Sequence, residues 1–342
     1  MVTVGGKYLW RLSSVPNFRV LCASGPHIET QNGLVYRSSR PDFMEHDELG
    51  AFKELGIQSI IDFRSRREYL GADGNHLIDQ EYHLYQVKLP HGRNFRSREP
   101  VSLVKLKPKR LQCPENADST CKHFLINFFP MSYIWNVFNR APWYIRLYSL
   151  IFLLFDIIFQ TGYKYFVRLF ARTTLNHTGL IGQYQDMVEL SQRGICAALK
   201  LLCNKDNLPA LLNCAHGKDR TGIVSALILS LMGKSPEYIA EEYALSSEGL
   251  APIQSRLHSE VVERFHMSEE FITAQADTMR QLFQFIRDKY EYGSVENYLE
   301  YIGFGASEQE TLRHNLMEAD RGDATENRRP DGEVAHGHSR LD

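Results

Sequence analysis

The chain has 342 residues, 43% of them hydrophobic, enough to bury a substantial core in one large domain or two. Its 39 Lys and Arg nearly balance 41 Asp and Glu, and a net charge of −2 excludes an overall nucleic-acid footprint. The six cysteines, at 22, 113, 121, 196, 203 and 214, form no Cys-x2-Cys pair or regular framework, and the first 30 residues hold no apolar leader-like run, which reads as a reducing, cytoplasmic compartment.

In chain order, residues 15–19 and 33–39 read as two short strands around a turn. Arg19 and Arg37 within them suit either surface ion pairs or a site. Residues 47–55 have helical spacing and end at Gly56, and the apolar strand 57–63 follows, closing on Arg-Ser-Arg-Arg-Glu at 64–68. A helix feeding through glycine into a buried strand is an α/β arrangement, and ligands sit just past such a strand's C-terminal end. Asp62 and Arg64 are therefore site candidates, with a local ion pair as the alternative.

Residues 88–123 are polar, basic and irregular; 124–139 then carry no charge, and 143–159 are apolar around most of a helix, broken by Arg146 and Asp156. Neither run supplies the roughly 20 clean apolar residues that a bilayer crossing needs. Two readings stay open, helices packed on the core and an amphipathic lid or interfacial segment. The second is favoured by charge: from Lys105 to Arg172 ten Lys or Arg face only Glu115, Asp118 and Asp156, a local +7 that suits an anionic lipid surface.

A helical pattern over 180–203 leads to a short strand at 209–212, and an apolar helix occupies 223–232. The loop between, Asn213-Cys214-Ala215-His216-Gly217-Lys218-Asp219-Arg220-Thr221-Gly222, joins a strand to a helix N-terminus. That geometry makes an anion cradle, and the field that holds phosphate also favours a thiolate at Cys214. Six residues on, the Arg220 fork can take two phosphate oxygens, while Gly217 and Gly222 permit the tight turn. The later Gly-Lys-Ser at 233–235 is no nucleotide loop, since position 228 is Ile. Helices follow at 236–245, 269–290 and from Ser294 onward, and from 319 to 342 the composition reads as a disordered tail.

Cys-x2-Gly-Lys-Asp-Arg-Thr-Gly between a strand and a helix resembles the Cys-dependent protein tyrosine phosphatase superfamily, and within it the bacterial-type enzymes. Similar elements recur at Asn17-Phe18-Arg19, at Ile61-Asp62-Phe63-Arg64-Ser65 and at Tyr292-Gly293-Ser294-Val295-Glu296. The departures are Asn213 where the signature has His and Val20 where an Asp would stand. The resemblance implies an α/β fold, a central sheet flanked by helices, in a single domain over 1–318 with a helical insert at about 88–175.

It also implies phosphomonoester hydrolysis without cofactor or metal, and no His/Cys/Asp cluster has metal-ligand spacing. Cys214 would be the nucleophile, with the loop of Ala215, His216, Gly217, Lys218, Arg220 and Thr221 holding phosphate and Asp219 as general acid. Phosphotyrosine protein is the implied substrate. Lys218 and the basic, apolar insert point instead to a phosphoinositide at a membrane surface contacted through 124–170, and Asn213 with Val20 to a phosphate-binding module of weak turnover.

Overall fold

The computed structural model describes residues 2–4, 7–9, 12–23, 33–107, 120–290 and 293–326. Among these, nine strands join in one mixed sheet in the order β1 (Val2–Val4), β2 (Lys7–Leu9), β3 (Arg19–Ala23), β4 (Gly33–Ser38), β9 (Ala210–Asn213), β5 (Ser59–Asp62), β8 (Lys122–Leu125), β6 (His83–Lys88) and β7 (Ser102–Lys105). The five strands from β4 to β6 are parallel and the outer ones pair antiparallel. Both Ser38 and Asp62 stand opposite Asn213, so three strands end level with the residue before Cys214.

Successive side chains on a strand face opposite sides, and the core divides accordingly. Val35, Ile61 and Leu212 enter the larger cluster, while Tyr36, Ile60 and Leu211 enter a second one with Phe18 and Phe52. Helix α1 (His46–Glu54) lies on the second face, and α2 (Arg66–Leu70) opens just past β5 with a capping box, Ser65 accepting from the Glu68 amide and Glu68 from the Ser65 amide. The insert forms α3 (Met131–Arg140), α4 (Trp143–Ile158) and α5 (Lys164–Phe170). Then α6 (Asn176–Leu190), α7 (Gln192–Leu202), α8 (Asp219–Leu231), α9 (Pro236–Leu250), α10 (Gln254–His258), α11 (Ala276–Lys289), α12 (Val295–Tyr301) and α13 (Ala306–Glu326) follow. The α/β expectation holds, with the larger cluster packed under α6, α7, α8, α11 and α12.

Several boundaries differ from the sequence reading. Val15 to Phe18 are a turn, with Asn17 left-handed at φ 62°, and the strand begins only at Arg19. Residues 122–125, placed across the edge between an irregular stretch and an apolar helix, are a central strand. Four residues packed between two parallel neighbours need no alternation, so periodicity does not reveal them. The insert's helical part therefore starts at Met131. The continuous helix at 180–203 breaks at Ser191, and that at 269–290 is regular only from Ala276. Helix α13 runs to Glu326, and the rest of the expected tail, 327–342, lies outside the described residues. No helix among the described residues is long and apolar enough to cross a membrane.

Candidate active site

Strand β9 delivers Cys214, 2% exposed, to the C-terminal edge of the sheet, and α8 begins five residues later. The chain between makes a turn that only glycine allows at position 217: its φ is +65°, and a Cβ there would overlap the Ser38 carbonyl.

The carbonyls of this loop are turned outward and held. Ala215 O accepts from the Arg40 amide at 3.3 Å, His216 O from Asn17 Nδ2 at 3.3 Å, and Gly217 O from both Asn17 Nδ2 at 3.0 Å and Arg37 Nη2 at 2.7 Å. Lys218 O accepts from the Gly222 amide at 2.8 Å and Arg37 Nη2 at 3.4 Å. With the carbonyls so committed, the amides of residues 215–220 find no acceptor among the described residues, the pattern of an anion-binding loop entering a helix N-terminus.

The clamp on those carbonyls is itself ionic. Glu242 on α9 takes Arg19 Nε at 2.7 Å on one carboxylate oxygen and Arg37 Nη1 at 2.6 Å on the other, and all three residues are buried. Ser246 Oγ receives a further bond from Arg19 at 3.1 Å. Burial, then the neighbouring Arg37, lowers the Arg19 pKa to about 10. Arg19 and Arg37, open between surface and site roles in the sequence, are thus buried struts of the loop.

Arg220 opens α8 with its guanidinium held by Phe63 O at 3.0 Å and Glu68 Oε1 at 2.9 Å, and it lies over the Phe129 ring at 5.0 Å. Burial acts against its charge, but Glu68 and then the Cys214 sulfur raise its pKa above the ordinary guanidinium value. Sulfur and guanidinium therefore share one electrostatic environment. Asp62 and Arg64 support this wall from behind. Arg64 binds Asp62 through Nη2 at 2.6 Å and Asp42 at 2.9 Å, and His123 meets Asp62 at 3.3 Å. Burial alone would raise the Asp62 pKa, yet Arg64 and His123 hold it far below the usual carboxylate range. The two residues form the local ion pair and fix the loop that carries Phe63 and Glu68.

Asp219, with 29% of its side chain exposed, accepts from Tyr184 Oη at 2.8 Å. Burial first, and Asp219 next, push the Tyr184 hydroxyl well up, so it stays a donor. Lys218 turns away from the cradle: its buried ammonium binds the carbonyls of Phe271 and Thr273, both at 2.8 Å, and Asp219 at 3.1 Å. At the rim, His216 pairs with Glu260 at 3.0 Å, while the guanidinia of Arg40 and Arg256 stack on Phe43 at 4.8 and 4.9 Å. Asn213 and the Thr221 hydroxyl are buried without partners among the described residues.

A family model described as "Tyrosine phosphatase family" matches residues 10–318. The chain belongs to the tyrosine phosphatase family. It resembles the triple specificity protein phosphatase PtpB of Mycobacterium tuberculosis, at 26% identity over 121 residues, 32% of this chain and 44% of the relative. A second relative, OCA1 of Debaryomyces hansenii, is 43% identical over 54 residues, 16% of this chain and 28% of its own. The chain thus aligns with less than half the length of either relative.

For this family member, sequence reasoning named the contiguous loop but missed Glu242, Glu68 on Arg220, Asn17 and Tyr184. For Glu242 a signal existed: with Ile239, Tyr243, Ser246 and Leu250 it lies on the buried stripe of α9, where a lone carboxylate requires partners. Ser246 sits inside that helix and joins the clamp.

Proposed function

We propose that this phosphatase-family chain hydrolyses phosphomonoesters, phosphotyrosine in proteins above all, through a phosphocysteine intermediate. The reading is carried by a loop from Cys214 into the N-terminus of α8 whose amides at 215–220 find no acceptor among the described residues, with Arg220 close enough for the Cys214 sulfur to raise its pKa. The Cys214 thiolate attacks phosphorus, an S–P bond forms, and the ester P–O bond breaks with its electron pair left on oxygen. Asp219 gives that oxygen its proton. A water, deprotonated by Asp219, then attacks phosphorus; the S–P bond breaks, inorganic phosphate departs and the thiolate is restored. The buried Thr221 hydroxyl, adjacent to Arg220, would donate to the leaving sulfur. Preorganised donors of this kind contribute roughly 3–4 kcal/mol each to the transition state.

A second reading, phosphoinositide hydrolysis, is favoured by the rim: Arg40 and Arg256 on Phe43, beside His216, offer cations to a second phosphate. The name of the mycobacterial relative, a triple specificity phosphatase, supports a broad substrate range. Lys218 supports neither substrate, since its ammonium is spent on carbonyls. A cytoplasmic enzyme with peripheral membrane contact through 124–170 completes the reading.

The test is phosphate release from an aryl phosphate, phosphotyrosyl peptides and phosphoinositides by wild type and Cys214→Ser. Turnover by the wild type alone, with trapped phosphocysteine on acid quench, is expected. Equal background rates for both would leave a phosphate-binding module.

A further inference from the structure

Helix α4 is inside out. Of its sixteen residues Trp143–Ile158, the buried ones are Ile145, Ser149 and Asp156. Trp143, Leu147, Leu150, Ile151, Leu154, Ile157 and Ile158 face outward, between 54% and 70% exposed, and Trp135 and Met131 of α3 are exposed too, at 62% and 75%. A surface helix of a water-soluble domain carries the opposite pattern.

The inward polar groups are used, so the orientation is built in. Asp156 caps α5, accepting from the Tyr165 amide at 3.2 Å and the Phe166 amide at 2.8 Å, and Ser149 Oγ donates to Arg146 O at 2.6 Å. Turning the helix over would strip α5 of its cap and bury no further polar partner. At a rise of 1.5 Å per residue the helix is about 24 Å long, short of the roughly 30 Å hydrocarbon core, so it suits lying in an interface rather than crossing it.

We propose that this face of α4, with Trp143 at its N-terminal end, inserts into an anionic lipid surface. Charge selects that partner over a second copy of the chain. Arg146, Lys164 and Arg172 accompany the hairpin, Arg140 being paired with Asp186 and Arg168 held by carbonyls, and the one acidic residue between 124 and 172, Asp156, is buried. Three cations accompanying an apolar face match anionic headgroups around an acyl core, whereas two copies would oppose like charges. Aromatic indoles belong at the headgroup level.

The same hairpin fixes the catalytic loop relative to that surface. Arg67, next to Glu68, stacks over Tyr163 at 4.3 Å, and Arg168 of α5 donates to the carbonyls of Arg264 and Glu263 at 2.7 and 2.9 Å. Glu68 reaches Arg220 and Glu260 reaches His216, so the hairpin bridges both walls of the site. Inserting α4 would hold the cleft at the lipid surface. This extends the membrane contact of the proposed function without depending on turnover.

The experiment is flotation of the full Cys214→Ser chain with vesicles of phosphatidylcholine alone or with roughly a third phosphatidylserine. Expected are recovery with the anionic vesicles, a blue shift of tryptophan emission, and a loss of partition of about ten-fold or more in an Ile151→Glu, Leu154→Glu, Ile158→Glu variant. The variant's far-ultraviolet circular dichroism should match the parent, and Arg172→Glu, which touches no apolar position, should weaken binding in a salt-sensitive way. Equal partition of parent and triple variant, or no recovery with anionic vesicles, overturns the proposal. So does dimerisation that the triple variant abolishes, because the face would then belong to a second copy. Absence of wild-type turnover with vesicle binding intact would count against the phosphatase reading alone.

Discussion

Replacing Glu242 by Gln should damage stability and turnover together, and the geometry sets the scale. Its two carboxylate oxygens hold Arg19 at 2.7 Å and Arg37 at 2.6 Å, all within the interior. Glutamine keeps one acceptor oxygen and no charge, leaving two buried guanidinia facing each other uncompensated. Breaking a buried ion pair from one side costs about 3–5 kcal/mol, a large part of a typical stability of about 5–15 kcal/mol. At about 2 cal/mol/K per residue over 342 residues, that is a fall in Tm of about 4–7 °C. Turnover should fall as well, because Arg37 is also the donor to Gly217 O and Lys218 O. A triple variant, Arg19→Met with Arg37→Met and Glu242→Met, separates the effects: an apolar triad should recover most of the stability, yet leave the loop carbonyls without Arg37 and kcat low. Calorimetry and aryl phosphate kinetics check both. A Glu242→Gln chain within about 1 °C of wild type, or a triple variant with full turnover, would refute the clamp.

Glu68→Ala should leave Arg220 held by Phe63 O alone and lower kcat/KM for an aryl phosphate about ten-fold, while Tm moves little because the pair is partly exposed. Asp219→Asn should slow phenyl phosphate far more than p-nitrophenyl phosphate, whose leaving group needs no proton, and should remove the limb of the pH–rate profile that reports a protonated acid; equal slowing of both substrates would remove Asp219 from that role. Brief iodoacetamide treatment at neutral pH, mapped by mass spectrometry, should label Cys214 and spare Cys203, whose thiol burial pushes up to about 12, and Cys196, pushed higher by the same cause. Asn213→Leu should raise Tm, because it removes two buried amide atoms without partners among the described residues at about 1–3 kcal/mol each at most; an unchanged or lower Tm would mean that those atoms are satisfied.

What the sequence discloses about this site is what lies close together in the chain. Cys214, Gly217, Arg220 and Thr221 can be read from ten consecutive residues because the loop's shape, its glycine and the helix that follows are local properties. The outward anchoring of its carbonyls is not local: Asn17 and Arg37 come from about two hundred residues earlier, joined only when β3 and β4 pair beside β9. Lys218 shows the converse, a cation next to the phosphate loop in sequence whose stem leads Nζ to the carbonyls of Phe271 and Thr273. Adjacency fixes where a Cα lies, not where four further carbons end. For α4, composition announced an apolar helix with a basic border, but not which face met core or solvent; Asp156 ties α4 to α5 from within, beside the packing of Ile145 with Phe170. A carboxylate in an apolar run reads as an interruption of hydrophobicity; here its bonds to the Tyr165 and Phe166 amides offset the cost of burying it and hold that side of the helix inward.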